Sequence, residues 1–118
     1  MDQKRIEKFS AGGIDVNDGV NRFAGSAELY EKFLRKFKDD KTFEDIGKAV
    51  ETKNSDEGFK AAHALKGVSG NLSMICVYKI TSDMCTAFRA NEPEKAFDMY
   101  PDLKNKYEAV CKLIDELN

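Results

Sequence analysis

Residues 55–74 read SDEGFKAAHALKGVSGNLSM, and two faces of one helix can be traced along them. Ala62, Leu65, Ser69 and Leu72 recur at three- and four-residue steps with Val68 beside them, the period of an α-helix that buries a stripe of mostly small residues. His63 lies off that stripe. At about 100° per residue, Phe59, Lys60, Lys66, Gly67 and Gly70 fall within roughly 60° of the His63 line. One imidazole, two lysines and two glycines do not make a core face, so His63 is expected to point to solvent. A glycine inside a helix costs about 1 kcal/mol relative to alanine, so Gly67 and Gly70 ask for a reason, and close approach by another body supplies one.

Upstream of this stretch the same period continues. Ile6 and Phe9 mark a short amphipathic segment within residues 1–14, ended by Gly12-Gly13 and read as a helical lid. Asp15 stands at an N-cap position before Val16, Val20 and Phe23, with Gly25 as the closing glycine, and Ser26 can cap the next helix. Leu29, Tyr30, Phe33, Leu34 and Phe37 give a broad apolar stripe, and Thr42 with Asp45 resembles a capping box before Phe43, Ile46, Gly47 and Val50. Downstream, Val77, Ile80, Met84, Ala87 and Phe88 form a further stripe that ends at Asn91-Glu92. Pro93 suits the first turn of a last helix with Leu103, Tyr107, Val110, Ile114 and Leu117 inside, which Pro101 should kink or split. The expectation is an all-α fold: an antiparallel four-helix bundle from about residue 26 to 117, with one or two short extra N-terminal helices, in a single domain over 1–118.

Composition excludes several functions. At 118 residues the chain has room for one domain, and its 8 Gly and 2 Pro are too few turn signals for a barrel or sandwich of short strands. A net charge of −2 offers no basic excess for nucleic acid. Cys76, Cys85 and Cys111 lack CxxC spacing and read as packing residues in a reducing compartment. The charged N-terminus and the lack of a long apolar run argue against membrane insertion and for a cytoplasmic protein. Metal is not expected either, because position 60, three before the single His63, is Lys rather than Glu.

The residues alone leave His63 open. A lone surface histidine is ordinarily a passive solvated side chain, with Lys60 and Lys66 as plain exposed charges. A neutral imidazole with a pKa near 6.5 is also an available nucleophile, and an ammonium at i+3 could steady phosphoryl oxygens. A purely structural bundle would instead bury the ring.

The stretch AHALKGVSGNL, Ala62 to Leu72, resembles the phosphoacceptor motif of histidine-containing phosphotransfer (HPt) domains of bacterial two-component phosphorelays, approximately His-x-Leu-Lys-Gly, two small or apolar residues, then Asn-Leu-Gly. GIDVNDGVNRFAGSAELYEKFLRKF, Gly13 to Phe37, resembles the opening of the same family: a Gly-Ile-Asp turn, an Arg-Phe-x-Gly helix end and a Leu-Tyr-x-x-x-Leu helix. The two matches cover residues 13–73, and the rest fits in helical length and spacing.

The resemblance implies that His63 is phosphorylated through Nε2, that Lys66 contacts the phosphoryl group, that Gly67 clears space beside it, and that Asn71 and Leu72 hold the helix end against the bundle. Ser73 stands where the family usually has glycine. The implied role is a phosphocarrier rather than an enzyme, relaying phosphate between His63 and an aspartate of a response-regulator receiver domain, with a sensor or hybrid histidine kinase upstream. No cofactor is expected, since the chain has no GxxxxGK[ST] loop and the Mg²⁺ and acidic pocket belong to the receiver. Phe59, Lys60, Gly70 and Asn71 are expected partner contacts, with the first helix around Ile6 and Phe9 as an extension of that surface. The protein is expected to be a monomer, and Met1 with a full helical set favours a free-standing shuttle. The alternative is a non-phosphorylated helical adaptor that docks a kinase or receiver.

Overall fold

A computed structural model describes residues 1–117, and the helical period noted above becomes eight helices among them: α1 (Gln3–Ala11), α2 (Val16–Arg22), α3 (Ala27–Phe37), α4 (Thr42–Thr52), α5 (Ser55–Asn71), α6 (Ile75–Arg89), α7 (Pro93–Asp98) and α8 (Tyr100–Asp115). Each start has a local cause. Asp2, Asp15, Ser26 and Asn54 accept from backbone N–H groups at the starts of α1, α2, α3 and α5, and Pro93 occupies the first turn of α7. Pro101 splits the last apolar stripe, sitting in the first turn of α8 where a missing N–H is harmless.

Two expected caps differ. Thr42 is the first residue of α4 rather than its cap. Lys41 holds the cap position without a side-chain bond, and Asp40 before it accepts through Oδ1 from the Thr42 backbone N–H at 2.9 Å and from the Thr42 hydroxyl. At the end of α2 the left-handed turn begins one residue earlier than the glycine, at Ala24 (φ 56), and Gly25 (φ 83) follows, its N–H closing onto Val20 O at 2.9 Å.

The bundle forms because each stripe needs a partner to leave water. α5 packs between α4 and α6, and α8 closes the bundle against α6, α4 and α3. Tyr107 of α8 joins α3 and α4 into one wall, its ring 5.5 Å from Phe37 and stacked at 3.9 Å on Phe43, between centroids. One contiguous core runs from Phe9 to Leu117, and all five stripe residues of α6 are in it. The α3 stripe is narrower than its period suggests. Tyr30, Leu34 and Phe37 are buried, but Leu29 and Phe33 stay exposed, Phe33 resting against Phe23 with centroids 5.3 Å apart.

The N-terminal helices are tied to the turn that follows α5. Ile14 and Met74 form an isolated antiparallel bridge, Asp15 N–H donates to Ser73 O at 2.9 Å, and Cys76 N–H donates to Gly13 O at 3.2 Å. α1 lies at the same end, with Lys8 paired to Glu116 at 2.8 Å. Phe9 is fully buried there, so it is a core residue and not part of a docking surface.

Candidate functional site

Helix α5 is built to be rigid where it carries His63. Its inner face is Gly58, Ala61, Ala62, Leu65 and Ser69, all buried, and small side chains there let α4 and α6 approach closely. Gly58 meets Phe88 and Phe97 so tightly that a Cβ would have to push a ring aside. The outer face is then fixed by elimination, and His63 is exposed on it.

Around the imidazole the structure brings together most of the residues singled out from the sequence. Phe59 lies one turn before it, ring centroids 5.9 Å apart, and is itself held by Phe88 at 6.2 Å and by Arg89, whose guanidinium sits 5.2 Å from the Phe59 ring centre. On the other side His63, Lys66, Gly67, Gly70 and Asn71 line one open groove of about 300 Å³. A Cβ built on Gly67 meets nothing within 4 Å. No neighbour in this chain therefore demands glycine at 67, and the space beside the histidine is open. Gly70 is more enclosed, its Cβ position 3.8 Å from the Tyr78 ring. Lys60 is exposed but does not line this groove.

Of the two roles expected of Asn71, packing the helix end is not the one its side chain takes. It is exposed on the groove, and the helix end is held instead by Leu72, whose carbonyl accepts from the buried Tyr30 hydroxyl at 2.7 Å. Ser73 also differs from a passive replacement of glycine. It is buried, adopts a left-handed φ of 55° and donates from Oγ to Asp18 Oδ2 at 2.6 Å.

Two groove residues come from other helices and were not singled out as site residues. Tyr78 of α6 lies under Lys66, with Nζ 5.9 Å from the ring centre. Arg22 of α2 lines the groove while its Nε donates to Asp18 Oδ2 at 2.9 Å. The Ser73 hydroxyl, and next the Arg22 guanidinium, hold the Asp18 carboxyl below the usual carboxylate range, and Asp18 in turn raises Arg22. The one sequence signal for Arg22 was its place in the Arg-Phe-x-Gly match.

Among the described residues no group of three or more His, Cys, Asp or Glu side chains could hold a metal ion, and no helix is long and apolar enough to cross a membrane. The groove offers a nucleophile, two cations and clearance, without an acid cluster of its own. In comparisons with known proteins, no curated protein and no solved structure matched the chain. The scan against protein families matched residues 28–113 to the Hpt domain, from α3 almost to the end of α8. With that match covering most of an all-helical chain, the protein belongs to the Hpt domain family.

Proposed function

We propose that His63 carries a phosphoryl group between a histidine kinase pathway and the aspartate of a response-regulator receiver domain. Hpt domains serve histidine phosphotransfer as carriers rather than catalysts, and the family implies contact with receivers and kinases. The observation that carries the finer reading is His63 exposed on a rigid helix, with Lys66 in the same groove and open space at Gly67.

In the step from receiver to carrier, the Nε2 lone pair attacks phosphorus, an N–P bond forms, and the P–O bond to the aspartate breaks as that carboxylate leaves. The ring keeps its Nδ1 proton, and the reverse step returns the phosphoryl group. Little covalent work falls to this chain. It positions the nucleophile for in-line approach and sets Lys66 as a point charge near the phosphoryl oxygens. Gly67 admits the partner, and Phe59, Gly70 and Asn71 are the contacts nearest the reacting ring, with Lys60 at the outer margin. The residues act within one folded unit over 1–118, as a monomer in the cytoplasm.

Incubation with a phosphorylated receiver domain and Mg²⁺ is expected to move label to an acid-labile, base-stable site on this chain. His63→Gln should abolish it. Label that persists in His63→Gln sinks the assignment, and tight receiver binding without any label favours the adaptor reading.

A further inference from the structure

Lys66 reaches the groove from the same helix as His63, but Arg22 reaches it from α2, and the structure spends several contacts on putting it there. The turn before α2 is strapped to the turn after α5 by the Ile14–Met74 bridge and by Asp15 N–H to Ser73 O at 2.9 Å. The same Ser73 then points its hydroxyl at Asp18, 2.6 Å away, and Asp18 accepts a hydrogen bond from Arg22 Nε at 2.9 Å. Guanidinium carries five donors in a planar fork, so a bond through Nε leaves the Nη donors for a second acceptor. Arg22 lines the same groove as His63 and Lys66, so those donors are available to a group bound there. An Arg–Asp pair alone is an ordinary surface contact, and the Arg22 and Asp18 side chains are 52% and 50% exposed. What is not ordinary is the buried serine behind it, at φ 55°, a conformation that glycine adopts freely and that the family's glycine would suit. The hydroxyl is what serine adds, and its partner is the carboxylate that holds Arg22.

We propose that Arg22 is a second phosphoryl contact, and that Asp18 and Ser73 are positioning residues that hold its guanidinium beside His63. The proposal rests on the reading of His63 as phosphoacceptor. A phosphoryl group on Nε2 spreads its negative charge over three oxygens. Lys66 and Arg22 would meet it from two different helices, one as a point charge and one through directed N–H donors.

The test uses phosphoramidate, a small phosphoryl donor that needs no partner protein, with label at His63 followed by ³¹P NMR. Label in the wild type and none in His63→Gln establishes the phosphoacceptor. No label at His63 in the wild type defeats that reading and this proposal together. With His63 labelled, Arg22→Ala is expected to slow phosphorylation about fivefold, the scale of a charge contact at a half-exposed site, with Arg22→Lys between the two. Ser73→Gly, which φ 55° tolerates, should slow it about twofold, the part of that charge contact which depends on alignment. Ser73→Gly should also shift the phosphohistidine resonance and add nothing in the Arg22→Ala background. Equal rates in wild type, Arg22→Ala and Ser73→Gly overturn the proposal. A Ser73→Gly effect that persists undiminished in Arg22→Ala overturns the link between Ser73 and Arg22, because a general loss of structure would act in either background. Asp18→Asn, which keeps an acceptor for the serine hydroxyl, serves as a second variant if Ser73→Gly fails to fold.

Discussion

The Tyr30 hydroxyl donates to the Leu72 carbonyl oxygen at 2.7 Å, joining α3 to the end of the histidine helix across 42 residues of sequence. Tyr30 is wholly buried, so the carbonyl it satisfies has no water to fall back on. Tyr30→Phe keeps the ring and strands that acceptor. It is expected to cost about 1–2 kcal/mol, read as a lower urea midpoint at unchanged slope.

Gly19 of α2 faces the same tyrosine, and a Cβ there would collide with the Tyr30 ring and hydroxyl. Helix propensity favours alanine over glycine by about 1 kcal/mol, but crowding a closed site costs about 1–3 kcal/mol, so the clash should win. Gly19→Ala is expected to lower the unfolding midpoint. A rise would show that the Tyr30 ring yields freely.

Gly67→Ala should do the opposite. With nothing within 4 Å of the added Cβ, the variant gains helix propensity, about 0.5–1 kcal/mol, and unfolds later. The methyl then occupies the space beside His63, so transfer from a phosphorylated receiver should slow while phosphoramidate labelling holds. Unchanged transfer would remove Gly67 from the docking surface.

Lys66→Ala is expected to slow phosphoryl transfer with stability within about 0.5 kcal/mol of wild type, since its contact with the Tyr78 ring lies at the outer limit of a cation–π interaction. Stopped transfer rates beside matched circular dichroism check it. Equal rates would leave Lys66 as a solvated charge.

Alkaline pH should destabilise this protein through its buried hydroxyls and thiols. Burial pushes the Tyr30 and Tyr107 hydroxyls well above their usual value of 10.0, and raises the Cys76, Cys85 and Cys111 thiols above 9.0. Each folded pKa is above its unfolded one, so the folded state keeps protons that the unfolded chain releases. The contribution to stability is complete below the unfolded values and is lost as pH rises toward the folded ones. Urea midpoints should therefore start to fall above about pH 9, where free thiols ionise, and fall faster above about pH 10, with a shallower slope in Tyr30→Phe. A midpoint that stays level from pH 9 to 11 would contradict the burial of these groups.

Much of this was legible because it is local. His63, Lys66, Gly67 and Gly70 share one helix, and the 3.6-residue period alone puts them on one line away from Leu65 and Ser69. The α6 stripe was readable for the same reason. Arg22 and Tyr78 were not, because α2 and α6 meet α5 only through tertiary packing, and spacing carries no information about that. The α3 stripe misled at its edge. Positions 29, 30, 33, 34 and 37 span a wide arc, and periodicity cannot say that Tyr30 and Leu34 go inward while Leu29 and Phe33 remain at the rim. Thr42 misled by one residue, since α4 already begins there and its own N–H is taken by the Asp40 carboxylate. The motif implied that Asn71 packs inward with Leu72, but Asn71 faces the groove and it is the Leu72 carbonyl that the buried Tyr30 hydroxyl meets.

The strap between the Gly13–Asp15 turn and Ser73–Cys76 sets a practical boundary. The family match begins at residue 28, after α2 has ended. A fragment cut to 28–113 would keep the histidine, its lysine and its glycine, and would pass for complete by motif. It would also lose one bank of the groove, discard the backbone partners of Ser73 and Cys76, and open the buried face around Phe9 and Ile14 to water. The stretch recognised by the family match is thus shorter than the packed unit, which also needs the first 27 residues and, past 113, the buried Ile114 and Leu117.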